Sequence, residues 1–237
     1  MRIRIKFRKY GVMRFIGHLD IMRYFQKAMR RANIGIAYSE GFSPHQIMSF
    51  AAPLGVGITS DGEYLDIEVH TTRSSEESLK ALNAVMVEGI DIVEYVALRQ
   101  NAAKAMSAVA AADYAVYFKK QPDFSCEEIR EGINTYYKER TSIEVLKQTK
   151  KSERIIDIKP LIYKFEPFTE NEKKGFFLQL CTGSTDNIKP ELVLEDYYKF
   201  FNKRYDPSNM QIHRMEVYEK INDLFRPLYK AGDNIES

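Results

Sequence analysis

Apolar and polar residues alternate through the first positions of the chain: Ile3, Ile5 and Phe7 at one parity, Arg2, Arg4, Lys6 and Arg8 at the other. Alternate side chains of a strand point to opposite faces. The pattern therefore predicts a strand over 2–9, with one buried face and a row of cations roughly 20 Å long at about 3.3 Å per residue. Helical spacing takes over next, as Ile21, Met22, Phe25, Ala28, Met29 and Ala32 predict a helix from about 16 to 32. A short strand is expected at 35–38 or 47–51, around a Gly/Ser/Pro loop, and another at 64–70, where Leu65, Ile67 and Val69 alternate inward. Ser74-x-x-Glu77 is a capping box opening a helix, and 90–98 reads as a closing strand.

The same order recurs after an Ala-rich connector at 101–112. A strand is expected at 113–119, then a helix opened by Ser125-x-x-Glu128, strands at 142–147 and 154–158 around a polar turn at 150–153, and a strand at 176–182. A helix with Pro190 in its first turn follows, then a strand at 211–218 and a tail that frays after Lys230. Two β-α-β-β-α-β units predict an α+β fold of two tandem ferredoxin-like domains, residues 1–104 and 105–237, with antiparallel sheets and helices on one face.

Charge changes the picture. The net charge of +2 conceals ten Lys/Arg against Asp20 and Glu40 in residues 1–50, a balance of +8, so the remainder carries −6. A concentrated basic end points to an anionic partner. In a ferredoxin-like sheet the basic strand lies beside the strand carrying Tyr64, Asp66 and Glu68. Two readings stay open there: a cross-strand ion-pair face, or a surface that holds phosphates. If Asp66 and Glu68 take the middle cations, Arg2 and Arg8 are left for a ligand. At about 100° per residue, Arg23, Lys27, Arg30 and Arg31 gather opposite the apolar stripe of the first helix, either as a solvated face or as a second phosphate-contacting surface.

Seven of the twelve glycines fall between Gly11 and Gly62, and two stretches stand out: 38–45 and 53–57. Tyr38 and Phe42 in the first are candidates to stack on bases or to tuck into the core. His18, near the first turn of the helix, and His45, in the polar loop, are the candidate acid/base groups. Ser184, Asn187 and Lys189 precede the Pro190 helix, where free N–H groups favour an anion, although an Asx turn explains the same residues. Neither a metal-ligand cluster nor a P-loop, G-x-S-x-G or dinucleotide fingerprint is present, so neither metal nor cofactor is expected. Two cysteines and no long apolar run predict a cytoplasmic protein without a membrane segment.

The segments Arg14-Phe-Ile-Gly-His-Leu-Asp20, Tyr38-Ser-Glu-Gly-Phe-Ser-Pro-His45 and Gly62-Glu-Tyr-Leu-Asp66, with the Arg-rich helix and the Gly183–Pro190 segment, resemble the radical-SAM-linked family of uncharacterised bacterial proteins. Members are encoded beside, or fused to, a radical SAM protein with a cobalamin-binding-type region, so the resemblance implies such a protein as partner. Two cysteines cannot supply the cluster ligands of that enzyme. A fold-level similarity to the tandem ferredoxin-like RNA-binding proteins of CRISPR systems, some of which cleave RNA through a histidine, gives His18 or His45 an alternative role.

These observations together predict an RNA-binding accessory protein that presents an RNA, tRNA or rRNA, to a radical SAM enzyme. Arg4, Lys6, Arg8, Arg14, Arg23, Lys27, Arg30 and Arg31 would hold phosphates, and Tyr38 and Phe42 would contact bases. The alternatives are a metal-independent RNA endonuclease and a protein-only scaffold for the radical SAM protein.

Overall fold

The computed structural model describes residues 1–148, 153–183 and 186–236. In chain order the strands and helices are β1 (Arg2–Lys9), α1 (His18–Arg31), β2 (Gly35–Ile36), β3 (Met48–Phe50), β4 (Thr59–Thr71), α2 (Ser75–Asn83), β5 (Ile90–Leu98) and α3 (Ala105–Ala108). There follow β6 (Val109–Phe118), α4 (Cys126–Ile133), β7 (Glu144–Gln148), β8 (Glu153–Asp157), β9 (Ile162–Glu170) and β10 (Lys173–Cys181). The chain ends with α5 (Pro190–Phe200), β11 (Met210–Ile221), β12 (Leu224–Pro227) and β13 (Gly232–Asp233). The fold class is α+β. Two compact units form: residues 1–110 together with 214–237, and residues 111–213. The first unit thus takes in the last segment of the chain, which a single boundary near 105 assigns to the second half.

In the first unit the strand order is β13-β5-β1-β4-β11, with β2 and β3 also on β4 and β12 on β11. β1 runs antiparallel to both β4 and β5, with Ile3 opposite Ile67 and Ile5 opposite Leu65. One face of these strands buries Ile3, Ile5, Phe7, Leu65, Ile67 and Val69 against Ile21, Phe25 and Met29 of α1 and Leu82 of α2. The capping box predicted at Ser74 is formed, its hydroxyl accepting from the Glu77 N–H and the Glu77 carboxylate accepting from the Ser74 N–H.

The end of the chain is docked, not frayed. Leu228 and Ala231 are buried, β13 pairs with β5, and Ile235 exchanges two hydrogen bonds with Ser75. The physical reason lies in Leu228, Ala231 and Ile235, apolar residues that this segment buries wholly or in part, Ile235 against the core of the first unit.

The second unit builds β6-β10-β9, antiparallel throughout. Strand β9 has no counterpart in the expected order; it carries Pro167 and lies at the end of that order, where a missing N–H costs no ladder bond. The expected polar turn at 150–153 lies outside the described residues except Glu153, and β7 and β8 form a hairpin of their own. The core is aromatic: Tyr197 packs against Phe124, Tyr136, Phe165 and Phe176 at ring separations of 5.2–5.5 Å.

Gly132 in α4 makes room for Tyr197, since a Cβ there would collide with the phenol oxygen. Gly132→Ala is expected to destabilise this unit. Overpacking costs about 1–3 kcal/mol, more than the helix gains, up to about 1 kcal/mol. A drop in the urea midpoint checks it; a rise would mean that the Tyr197 ring yields.

Candidate nucleic-acid interface

The four cations of β1 meet different fates. Arg4 is fully buried: Nε and Nη2 donate to the two Asp66 oxygens at 2.7 and 3.0 Å, and the Leu228 and Ala103 carbonyls accept at 2.9 Å each. Lys6 pairs with Glu216 at 2.6 Å and lies over the Tyr229 ring. Glu216 also accepts from the Tyr64 phenol at 2.7 Å; burial first, then this carboxylate, push the Tyr64 pKa up. Arg2 donates to the Ala102 carbonyl at 2.8 Å. Arg8 is half-exposed, 3.5 Å from Asp61. The expectation that Arg4 and Lys6 hold phosphates is corrected accordingly. Asp66 takes Arg4, as the parity allows, but Lys6 is taken by Glu216, far off in the sequence.

The cations of α1 face outward. The helix buries Ile21, Phe25, Ala28 and Met29 and leaves Arg23, Lys27, Arg30 and Arg31 exposed. Arg23 is 3.3 Å from Asp20, and Arg31 donates to the Val85 carbonyl at 3.3 Å. Among the described residues neither Lys27 nor Arg30 has an ion-pair partner. Residues 23, 27 and 30 follow the i, i+4, i+7 spacing of one helix face, and the cations from 23 to 31 span roughly 12 Å of helix axis.

The 38–46 loop is tied to this helix. Tyr38 bridges Gln46, and Ser39 and His45 bond each other through backbone and side chain. The Gln46 amide donates to the Gln26 carbonyl of α1 at 3.2 Å and to the Tyr38 hydroxyl at 3.3 Å. Gln26 precedes Lys27. At the tip, Gly41 has φ 106°, a conformation that favours glycine, and Phe42 beside it is fully exposed. Tyr38 is 47% exposed.

Arg14 stacks over Phe15 at 4.8 Å, and its carbonyl accepts from the Gly57 N–H. The two histidines have separate partners: His45 is held by Ser39, whereas half-buried His18 meets the Phe50 ring edge-on at 5.2 Å. In the second unit Ser184 lies outside the described residues. Asn187 accepts from Lys147 through its carbonyl at 2.8 Å, and Lys189 is the exposed N-cap residue of α5.

Four charged residues at this end of the molecule escaped the sequence reading. Glu216 is one. The others, Lys9, Glu63 and Arg214, are buried; Arg214 holds both Glu63 oxygens, at 2.8 and 2.5 Å. Lys9 and Glu63 share the parity of the core residues Phe7 and Leu65, and a charge at an apolar parity was the available signal. Lys9 donates to the Ile16 carbonyl at 2.7 Å. Burial pushes its amine below the usual lysine range; Glu63 opposes the shift and Arg214 adds to it. Among the described residues no cluster of His, Cys, Asp or Glu is arranged to hold a metal ion, and no helix is long and apolar enough to cross a membrane.

Comparison with solved structures finds a likeness to a chain of the crystal structure of a Cbf5-Nop10-Gar1 complex, with TM-score 0.48 and 10% identity, covering 91% of this chain and 48% of that one. The chain thus spans about half the length of that relative. No curated protein matches. A family model described as an uncharacterised protein conserved in bacteria, DUF2344, matches residues 2–190. With most of its length so matched, the chain belongs to the DUF2344 family of uncharacterised proteins conserved in bacteria.

Proposed function

We propose that the chain is a cytoplasmic RNA-binding accessory protein of two ferredoxin-like domains, which presents an RNA to a radical SAM modifying enzyme. The interface belongs to the first unit. Arg23, Lys27, Arg30 and Arg31 contact phosphates, with Arg8 and Arg14 at the margin, while Phe42 and Tyr38 meet bases. One observation carries this reading: Gln46 pins the loop bearing two exposed aromatic rings to the helix bearing the exposed cations. Cations that track a backbone beside aromatic rings that stack are the combination used for single-stranded RNA.

RNA binding is expected to weaken with salt, with a log–log slope of about −0.7 for each phosphate neutralised on a single strand. Lys27→Ala with Arg30→Ala should flatten that slope by about 1.4. Phe42→Ala should cost about 1–3 kcal/mol with the slope unchanged, since stacking releases no counterions. Fluorescence anisotropy with a single-stranded RNA at about 50–200 mM salt measures both. If no RNA binds at the low end, the reading fails, and a partner recovered without nucleic acid would favour a protein-only scaffold.

A further inference from the structure

Arg2 of β1 and Glu68 of β4 stand directly opposite one another, on the face of the sheet away from α1 and α2. Opposite charges so placed ordinarily pair, but these do not. Arg2 turns aside and gives Nη2 to the carbonyls of Arg99, Gln100 and Ala102, at 2.8–3.4 Å, which leaves Nε and Nη1 without an acceptor. Asp66, the next carboxylate on that face, is taken by Arg4 and the Ala105 N–H. Among the described residues, half-buried Glu68 therefore has neither an ion pair nor a side-chain hydrogen bond, and the half-buried Ser49 hydroxyl has no partner either.

A cavity of about 90 Å³ opens between these groups, lined by Arg2, Ile47, Ser49, Asp66, Glu68 and Lys104. Its volume is about three times a water molecule's share of the liquid. That exceeds a bare ion and matches the charged end of a small molecule. Lys104 is exposed, and among the described residues its ammonium has no partner. The cavity thus offers both signs of charge. Glu68 and Ser49 accept hydrogen bonds, while Arg2 and Lys104 donate them. A lone cation would face Arg2 and Lys104, and a lone anion would face Glu68. A ligand that carries both charges a short distance apart satisfies both sides.

We propose that this cavity binds the ammonium and carboxylate of a free α-amino acid. The ammonium donates to Glu68 and Ser49, the carboxylate accepts from Arg2 and Lys104, and Ile47 gives the Cα an apolar wall. Set between Arg2 and Glu68, the ligand completes a cross-strand pair that the chain leaves unmade. The site lies across the sheet from α1, so it stands apart from the RNA reading.

L-Alanine is the probe, set against ethylamine, which lacks the carboxylate, and propionate, which lacks the ammonium, all at constant ionic strength. Binding is read from the backbone ¹H–¹⁵N resonances of Arg2, Ser49 and Glu68. Alanine is expected to shift them saturably. Ethylamine and propionate should each bind about tenfold or more weakly, because each loses charge-assisted hydrogen bonds. Glu68→Gln should weaken alanine by a similar factor. The Glu68 carboxylate has no partner to lose, so this variant should match or exceed the thermal midpoint of the unaltered chain. The site is overturned if alanine shifts nothing, if ethylamine or propionate binds as well as alanine, or if Glu68→Gln binds alanine unchanged. Should that variant fail to fold, the three probes on the unaltered chain still decide.

Discussion

Asp66→Ala is expected to destabilise the first unit by about 3–5 kcal/mol, the loss that follows when one partner of a buried ion pair is removed. The Asp66 carboxylate does three things: it accepts two hydrogen bonds from Arg4 and one, at 2.7 Å, from the Ala105 N–H. Without it a guanidinium with no exposed surface keeps two carbonyls, of Leu228 and Ala103, and no counter-charge. A loss of that size is a large part of the ~5–15 kcal/mol typical of a domain. Adding Arg4→Met should restore much of the stability, because removing both charges abolishes the desolvation cost that one alone incurs. Urea unfolding of the two variants checks this. A midpoint for Asp66→Ala close to that of the unaltered chain would mean that Arg4 finds water, and the burial argument would fail.

The second large effect is alkaline unfolding of the second unit. Tyr136, Tyr197 and Tyr198 are all fully buried. Burial pushes each phenol pKa up, and the carboxylates of Asp196, Glu128 and Asp123 respectively push the same way. In the unfolded chain these groups ionise near their ordinary value of 10.0. Their contribution to stability is therefore complete below pH ~10 and is lost as pH rises toward the elevated folded values. Each contributes about 1.4 kcal/mol per pH unit in that window, and the three together about 4. At that rate, roughly one to three and a half pH units above 10 should suffice to unfold a domain of ordinary stability, about 5–15 kcal/mol. Ultraviolet absorbance should show exposed tyrosines ionising first, then a steep cooperative rise with loss of circular dichroism. Tyr136→Phe should make that rise shallower. Smooth titration of all fifteen tyrosines near their ordinary value with the fold intact would refute the prediction.

Much of the local structure was legible. β1 and β5 begin and end where alternation places them, and both Ser-x-x-Glu boxes cap their helices. These signals are local, and each residue involved answers to neighbours within four positions. Strand β9 was missed because its two buried residues, Ile162 and Phe165, stand three apart across a register shift against β10, and Pro167 interrupts the run that follows. At the interface the outward face of α1 was readable, since burial of one stripe dictates the other. The fate of Lys6 was not, because Glu216 reaches it only once β11 is added to the sheet.

The division of the first unit between residues 1–110 and 214–237 bears on how the protein is made. During synthesis Arg4 emerges 224 residues before the Leu228 carbonyl that satisfies it. Until then the nascent β1 has its Asp66 but not its cover, and the cationic face of the sheet is open. If residues 111–213 fold before the first unit closes, they shorten the loop it must close and so reduce the entropic cost of that last step. A nascent chain of residues 1–213 followed by a linker long enough to fill the ribosomal exit tunnel should thus carry a folded second unit and a protease-sensitive first one.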